Sequence, residues 1–227
     1  MNSHLLRSAF NRVRSAVQDV VVRQSRSRYW RRRAARYGRR AVLNLGHTDQ
    51  EFETITRFQQ AQVFPWLKRI LAGGESLVLD LGCGPGRFAG PLADLIHCRV
   101  VAVDPVQEFL QMAPRHELVD YRCMTNSTLP LPADCVDVVW ICLVLGGLKG
   151  AGLKQAITEV NRVLKDGGLL FVVENTSTMS PRSHWEYRSF AAYKALMSFT
   201  KLELLSSYDD LGETISIMAG RKCECVT

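Results

Sequence analysis

Val78-Leu79-Asp80-Leu81-Gly82-Cys83-Gly84-Pro85-Gly86-Arg87-Phe88 decides how this chain folds. An apolar run passes through Asp80 into three glycines placed at every second position, and an apolar helical pattern begins behind them. That order specifies a strand, a tight turn and a helix. Glycine adopts positive φ without steric cost and carries no Cβ, so a ligand can lie directly against such a backbone. Gly84-Pro85-Gly86-Arg87-Phe88-Ala89 fits G-x-G-x-x-A, the dinucleotide fingerprint, which is a weak signal alone. No Gly-Lys-Ser/Thr follows, so the turn is not a P-loop.

Outward from this stretch the chain alternates. Ser76–Leu81 reads as a strand and Gly86–Ile96 as a helix. Arg99–Val103 is a β-branched strand ending at Asp104-Pro105, and Val106–Ala113 is a short helix stopped by Pro114. Tyr121–Thr125 is a third strand. Leu129-Pro130-Leu131-Pro132-Ala133-Asp134 is a loop, because two prolines so close exclude regular pairing. Val136–Ile141 is a strand, Leu153–Leu164 a helix stopped at Lys165-Asp166-Gly167-Gly168, and Leu169–Val173 a strand. After a helix over Ser189–Phe199, Leu202–Ser207 and Thr214–Ala219 read as two strands joined by Asp209-Asp210-Leu211-Gly212, with no helix between them. The pattern predicts an α/β, Rossmann-like, doubly wound sheet of seven strands, mostly parallel, with a C-terminal antiparallel hairpin and an N-terminal helical arm. The boundaries read as an arm at 1–28, a helical lid at 29–72, a core at 73–222 and a tail at 223–227.

Composition places limits on this. The 227 residues are 47% hydrophobic and 22% charged, as in an ordinary globular protein. No run of about 18 uncharged apolar residues suggests a membrane-spanning helix. The seven cysteines are odd in number, irregularly spaced and never C-x-x-C, which predicts no metal site, no disulfides and a reducing compartment. The net charge of +7 is local. Residues 1–40 hold twelve arginines against one acid, and the remainder holds seventeen basic against twenty-one acidic residues. In residues 5–21, Leu5, Leu6, Ala9, Phe10, Val13, Ala16, Val17, Val20 and Val21 recur at helical spacing among arginines. This basic amphipathic helix fits an anionic membrane surface, a protein partner or its own domain, or a mitochondrial transit peptide, in that order. Nucleic acid ranks below these, since aromatics enter only at Tyr29 and Trp30. The expected location is cytoplasmic, with a peripheral membrane alternative.

Two further features distinguish the cofactor. Asp80 precedes the first glycine by two, and Asp104 ends the next strand 18 residues beyond Gly86. With these, the chain resembles the class I S-adenosylmethionine-dependent methyltransferases over about residues 29–222. Leu129-Pro130-Leu131-Pro132, Val136-Asp137-Val138-Val139-Trp140 and Arg162-Val163-Leu164-Lys165-Asp166-Gly167-Gly168 match further motifs of that family. The resemblance implies that Asp80, Gly82, Gly84 and Gly86 hold the methionine part of S-adenosylmethionine and that Asp104 binds the ribose hydroxyls. Pro105, Met124, Thr125 and Cys142 complete the expected pocket, and S-adenosylhomocysteine is the expected product. The family often places an acid near Met124-Thr125 and histidines near Gly146-Gly147; both are missing, and with them a familiar general base. Asp137 reads as structural, and Asp104 has a second reading as a helix cap.

The acceptor is read from residues 174–189. His184 is a candidate base or acceptor contact, and Trp185, Tyr187 and Arg188 are candidates for stacking and anion contact, with core anchoring as the rival reading for the two aromatics. Tyr29–Gly38 and Asn44–Glu51 are expected to cover the cofactor. Thr48 and Glu51 read as a capping box, and His47 as facing either the site or the surface. Details such as Asn-Leu-Gly-His and Val-Glu-Asn-Thr resemble a branch linked to bacterial surface glycan modification. The implied reaction is methyl transfer, at oxygen, to a small-molecule, glycan or lipid-linked acceptor. The alternatives are a quinone-like or lipid acceptor and a cofactor-binding scaffold without turnover.

Overall fold

Val, Ile and Leu runs that are apolar at every position, not at alternate ones, belong to strands covered on both faces. In the computed structural model, which describes residues 27–124, 128–182 and 184–224, those runs form the centre of one sheet. Its strands are β1 (Leu77–Leu81), β2 (Arg99–Asp104), β3 (Val119–Cys123), β4 (Val136–Cys142), β5 (Leu164–Asn175), β6 (Glu203–Asp210) and β7 (Glu213–Arg221). They lie in the order β3-β2-β1-β4-β5-β7-β6. The first five are parallel, and β7 runs antiparallel between β5 and β6. The helices are α1 (residues 27–37), α2 (Phe52–Ile70), α3 (Ala89–Ile96), α4 (Gln107–Met112), α5 (Gly150–Val163) and α6 (Phe190–Leu196).

Alternate strand residues point to opposite faces and build two core layers. Val78, Val100, Val138, Trp140 and Phe171 pack with Val63 and Leu67 of α2 and Leu92 of α3. Leu79, Val101, Val139, Ile141 and Leu170 pack with Ile157 and Val160 of α5 and with Met197, just past α6. Trp140 stacks on Phe171 with centroids 5.0 Å apart. A third, smaller cluster joins Ala34 of α1 and Ala41 to Val106 and Phe109 beside and on α4. Through it the N-terminal helical segment rests on the end of the sheet where β1 and β2 stop.

β3 begins two residues earlier than expected, at Val119, and other departures have identifiable reasons. The stop at Lys165–Gly168 falls inside β5, because β5 starts at Leu164, directly after α5. Val136 pairs with Leu164 and Val138 with Leu169, so a bulge absorbs the four intervening residues. The link between the last strands shrinks to Leu211-Gly212, at φ 56° and 78°. Two consecutive positive φ values are those of a tight hairpin turn, which lets Asp209 and Asp210 join β6. At residue 48 only half of a capping box forms. The Thr48 N–H and hydroxyl both donate to Glu51 Oε2, at 2.7 and 2.8 Å, and α2 then begins at Phe52 without a side-chain cap. The amphipathic helix expected over residues 5–21 lies outside the described residues.

Candidate functional site

In an open α/β sheet the crevice for ligands opens beyond the carboxyl ends of the strands, where the strand order reverses. Here that point lies between β1 and β4. A cavity of about 1260 Å³ occupies it, walled by the glycine turn, the ends of β2 and β4, the first turn of α5 and part of α1.

The turn is held by hydrogen bonds from Gly82 N–H and Cys83 N–H to Val103 O, at 2.8 and 3.1 Å. Gly82, Gly84 and Gly86 all sit at positive φ. A Cβ on Gly82 would stand 2.5 Å from Val144, and one on Gly86 would stand 2.5 Å from the Tyr121 hydroxyl. Gly82 and Gly84 line the cavity, whereas Gly86 is packed behind them. Cys83 lines it too, and burial pushes its thiol pKa well up.

Asp80 is 2% exposed and lines the cavity, and its Oδ2 has no hydrogen-bond partner. Burial, then the nearby Asp104, pushes its pKa up to about 8. Asp104, at the end of β2, accepts from Gly84 N–H at 2.9 Å through Oδ2 and from Val106 N–H at 2.8 Å through Oδ1. It therefore ties the glycine turn to the start of α4 while still facing the cavity, so its local bond and its site position coexist. Burial raises its pKa to about 6, against the pull of those two donors. Pro105, Met124 and Cys142 are also on the wall. Thr125 lies outside the described residues.

The residues read as acceptor contacts are placed elsewhere. His184 stacks on Tyr29 of α1, centroids 4.6 Å apart, and does not line the cavity. Burial, then Arg33, Arg182 and Lys149, pull its pKa below the ordinary histidine value. Trp185 packs under Gly146, where a Cβ would come within 2.2 Å of the indole. Arg188 donates to Leu145 O and Leu148 O, each at 2.8 Å, and pairs with Glu186. Tyr187 is half-buried beside Arg182. The loop after β5 thus folds back onto the turn after β4 and anchors it. The glycine pair Gly146-Gly147 was the available signal, since adjacent glycines mark close approach of another group. Of the two segments expected to cover the cofactor, α1 lines the cavity but no residue of Asn44–Glu51 does; His47 faces neither the site nor solvent, being buried against Asp210 at 2.6 Å.

Two residues not singled out for these roles prove central. Glu174, fully buried at the end of β5, accepts from the N–H groups of Val144 and Leu145 at 2.7 and 2.6 Å through Oε1. Its Oε2 accepts from Gly146 N–H at 3.3 Å and from the Tyr193 hydroxyl at 3.4 Å. Burial raises its pKa to about 7. Arg87 follows the glycine turn, lines the cavity and is 7% exposed. It donates to Thr56 Oγ1 at 3.1 Å and to Gln59 Oε1, both neutral.

Asp80, Asp104 and Glu174 share a consequence. Their folded pKa values, about 8, 6 and 7, stand above the unfolded values of 3.8, 3.8 and 4.5. Between those limits the folded protein binds more protons than the unfolded chain, so their joint contribution to stability falls as pH rises. The urea midpoint of the ligand-free protein should therefore decline from pH 7 to pH 8, above the range in which His184, with its lowered pKa, acts in the opposite sense. Asp80→Asn should make that decline shallower, leaving the smaller part due to Glu174; an unchanged slope in that variant would refute the placement of Asp80.

Comparison with known proteins agrees with this geometry. Residues 79–172 match the family described as a methyltransferase domain. The ubiquinone biosynthesis O-methyltransferase of Methylocella silvestris is 30% identical over 162 residues, covering 63% of each chain. Ribosomal RNA-processing protein 8 of Rattus norvegicus is 33% identical over 136 residues, 60% of this chain and 24% of that protein. This chain thus spans from about a quarter to under two thirds of the length of these relatives. Among solved structures, the complex of DhpI with SAH superposes with a TM-score of 0.65 at 20% identity, over 88% of this chain and 96% of the other.

Proposed function

We propose that this chain, a member of the class I S-adenosylmethionine-dependent methyltransferases by its domain match and fold, transfers a methyl group to an oxygen of a small-molecule acceptor. One observation carries the reading. The orphaned Oδ2 of Asp80, the positive-φ glycine turn and the Asp104 carboxylate share the wall of one cavity at the switch point of the sheet. These residues fit the cofactor. Asp80 supplies an unused acceptor for an ammonium, and each Asp104 oxygen has a lone pair left for a ribose hydroxyl. The cavity exceeds a typical pocket of roughly 300–1,000 Å³, so cofactor and acceptor fit together.

When bound, the cofactor supplies a methyl group on a sulfonium, already a good leaving group. The protein's task is alignment and exclusion of water, which can lower a barrier by up to ~7–11 kcal/mol. Asp80, the glycine turn and Asp104 fix one reactant. The turn after β4, held by Glu174, forms the facing wall through Val144 and Gly147. α1 covers the cavity with Trp30 and Arg31.

The acceptor favoured is a hydroxylated ring of quinone-like or lipid character. Of the carboxylates on the wall, Asp80 and Asp104 are assigned to the cofactor and Glu159 is bonded to Arg162 and Leu129 N–H, so none is left as a base for the acceptor. That environment suits a phenol, which ionises near pKa 10, better than a sugar hydroxyl. Similarity to a ubiquinone O-methyltransferase and the apolar wall of Val42, Phe88, Phe109, Leu129 and Leu148 support the same class. The glycan acceptor rests on sequence resemblance alone. The test is transfer of tritium from methyl-labelled cofactor into a cell extract, followed by fractionation. Label in the organic-soluble fraction is the expected result, label confined to glycan or RNA would overturn the acceptor class, and no transfer would favour a scaffold.

A further inference from the structure

Arg87 presents an unusual balance of charge. A guanidinium never loses its proton in a protein, and taking it out of water is costly unless an anion accompanies it. Arg87 is 7% exposed, yet among the described residues it forms no ion pair. Its bonds go to the neutral oxygens of Thr56 and Gln59 on α2, and the rings of Phe88 and Phe52 flank it at 5.1 and 5.9 Å. These contacts fix its orientation; Asp210 and Glu53 favour its charge from a distance, but they are bonded to His47 and Arg39, so no anion touches the guanidinium.

Asp80 shows the reverse. It is a buried acid with an oxygen that accepts nothing, and burial and Asp104 raise its pKa. The two residues stand on either side of the glycine turn, line the same cavity, and are not paired with each other. One group satisfies both: a zwitterionic α-amino acid, with its ammonium on Asp80 and its carboxylate on Arg87.

We infer that Arg87 is the carboxylate-binding residue for the amino-acid end of the cofactor, acting with Asp80 as a matched pair of opposite charges. This rests on the S-adenosylmethionine reading and adds to it a residue that determines specificity for the intact amino acid. α2 thereby takes part in the site, because Thr56 and Gln59 hold the guanidinium.

The test is calorimetric, with S-adenosylhomocysteine and its decarboxylated analogue, 5′-deoxy-5′-(3-aminopropylthio)adenosine, each titrated into the full chain and into Arg87→Met and Arg87→Lys. In the unaltered protein, loss of the carboxylate should weaken binding about tenfold to a hundredfold. Arg87→Met should weaken S-adenosylhomocysteine by a similar factor and leave the analogue's affinity unchanged; Arg87→Lys should fall between. Equal affinity of the unaltered protein for the two ligands would overturn the inference even if Arg87→Met does not fold. So would an equal loss for both ligands in a folded variant. Failure of the unaltered protein to bind either ligand would instead overturn the cofactor reading, and the inference with it.

Discussion

Glu174→Ala should destabilise the protein by about 3–5 kcal/mol, the cost of leaving several buried donors without acceptors. The fully buried carboxylate receives the N–H groups of half-buried Val144 and of buried Leu145 and Gly146, and the buried Tyr193 hydroxyl. Glu174→Gln retains one carbonyl acceptor but turns an NH₂ toward donors, so an intermediate loss of about 1–3 kcal/mol is expected. Urea denaturation of the three proteins at pH 8, where Glu174 is mostly ionised, checks this. A loss under 1 kcal/mol for Glu174→Ala would show that the turn after β4 holds itself. Val144 and Gly147 line the cavity, so folded Glu174→Ala should also bind S-adenosylhomocysteine more weakly.

The second large effect belongs to Asp104. Asp104→Ala removes a ribose acceptor and frees the amides of Gly84 and Val106 that its carboxylate fixes. Charge-assisted bonds of this kind contribute about 1.5–3 kcal/mol each, so affinity for S-adenosylhomocysteine should drop by at least about a hundredfold. Asp104→Asn, which keeps one oxygen, should lose less. If Asp104→Ala bound as tightly as the unaltered protein, the carboxylate would be reduced to a local tie between β2 and α4. Titration calorimetry near pH 8, with melting curves to confirm folding, distinguishes these outcomes.

Much of this architecture was legible because it follows from local rules. Strands buried on both faces must be apolar throughout, and glycines at alternate positions demand a turn that other residues cannot make. Asp80 and Asp104 were legible for the same reason: each holds a fixed place relative to the end of a strand. What escaped depends on contacts between distant segments. Glu174 reads as the polar start of a loop, and only folding brings it against residues 144–146. His184, Trp185 and Arg188 have the side chains of an acceptor site, but the chain after β5 turns them toward Tyr29, Gly146 and the carbonyls of Leu145 and Leu148. Arg87 reads as one letter of a fingerprint until α2 is seen to surround it with neutral partners.

The contact of His47 with Asp210 joins residues 163 positions apart, and Gly46 leaves room for Leu211 beside it, where a Cβ would stand 2.6 Å away. The segment around His47 is made well before its mooring, the hairpin of β6 and β7. A chain that has made only β1 to β5 holds this segment through Arg40, which bonds Asp49 and His47 O, but lacks the partner that buries His47. Closing so long a loop is paid for only when its final contacts form. The N-terminal segment is therefore moored only once β6 and β7 have paired, and chains stopped before residue 210 should lack the contact that buries His47.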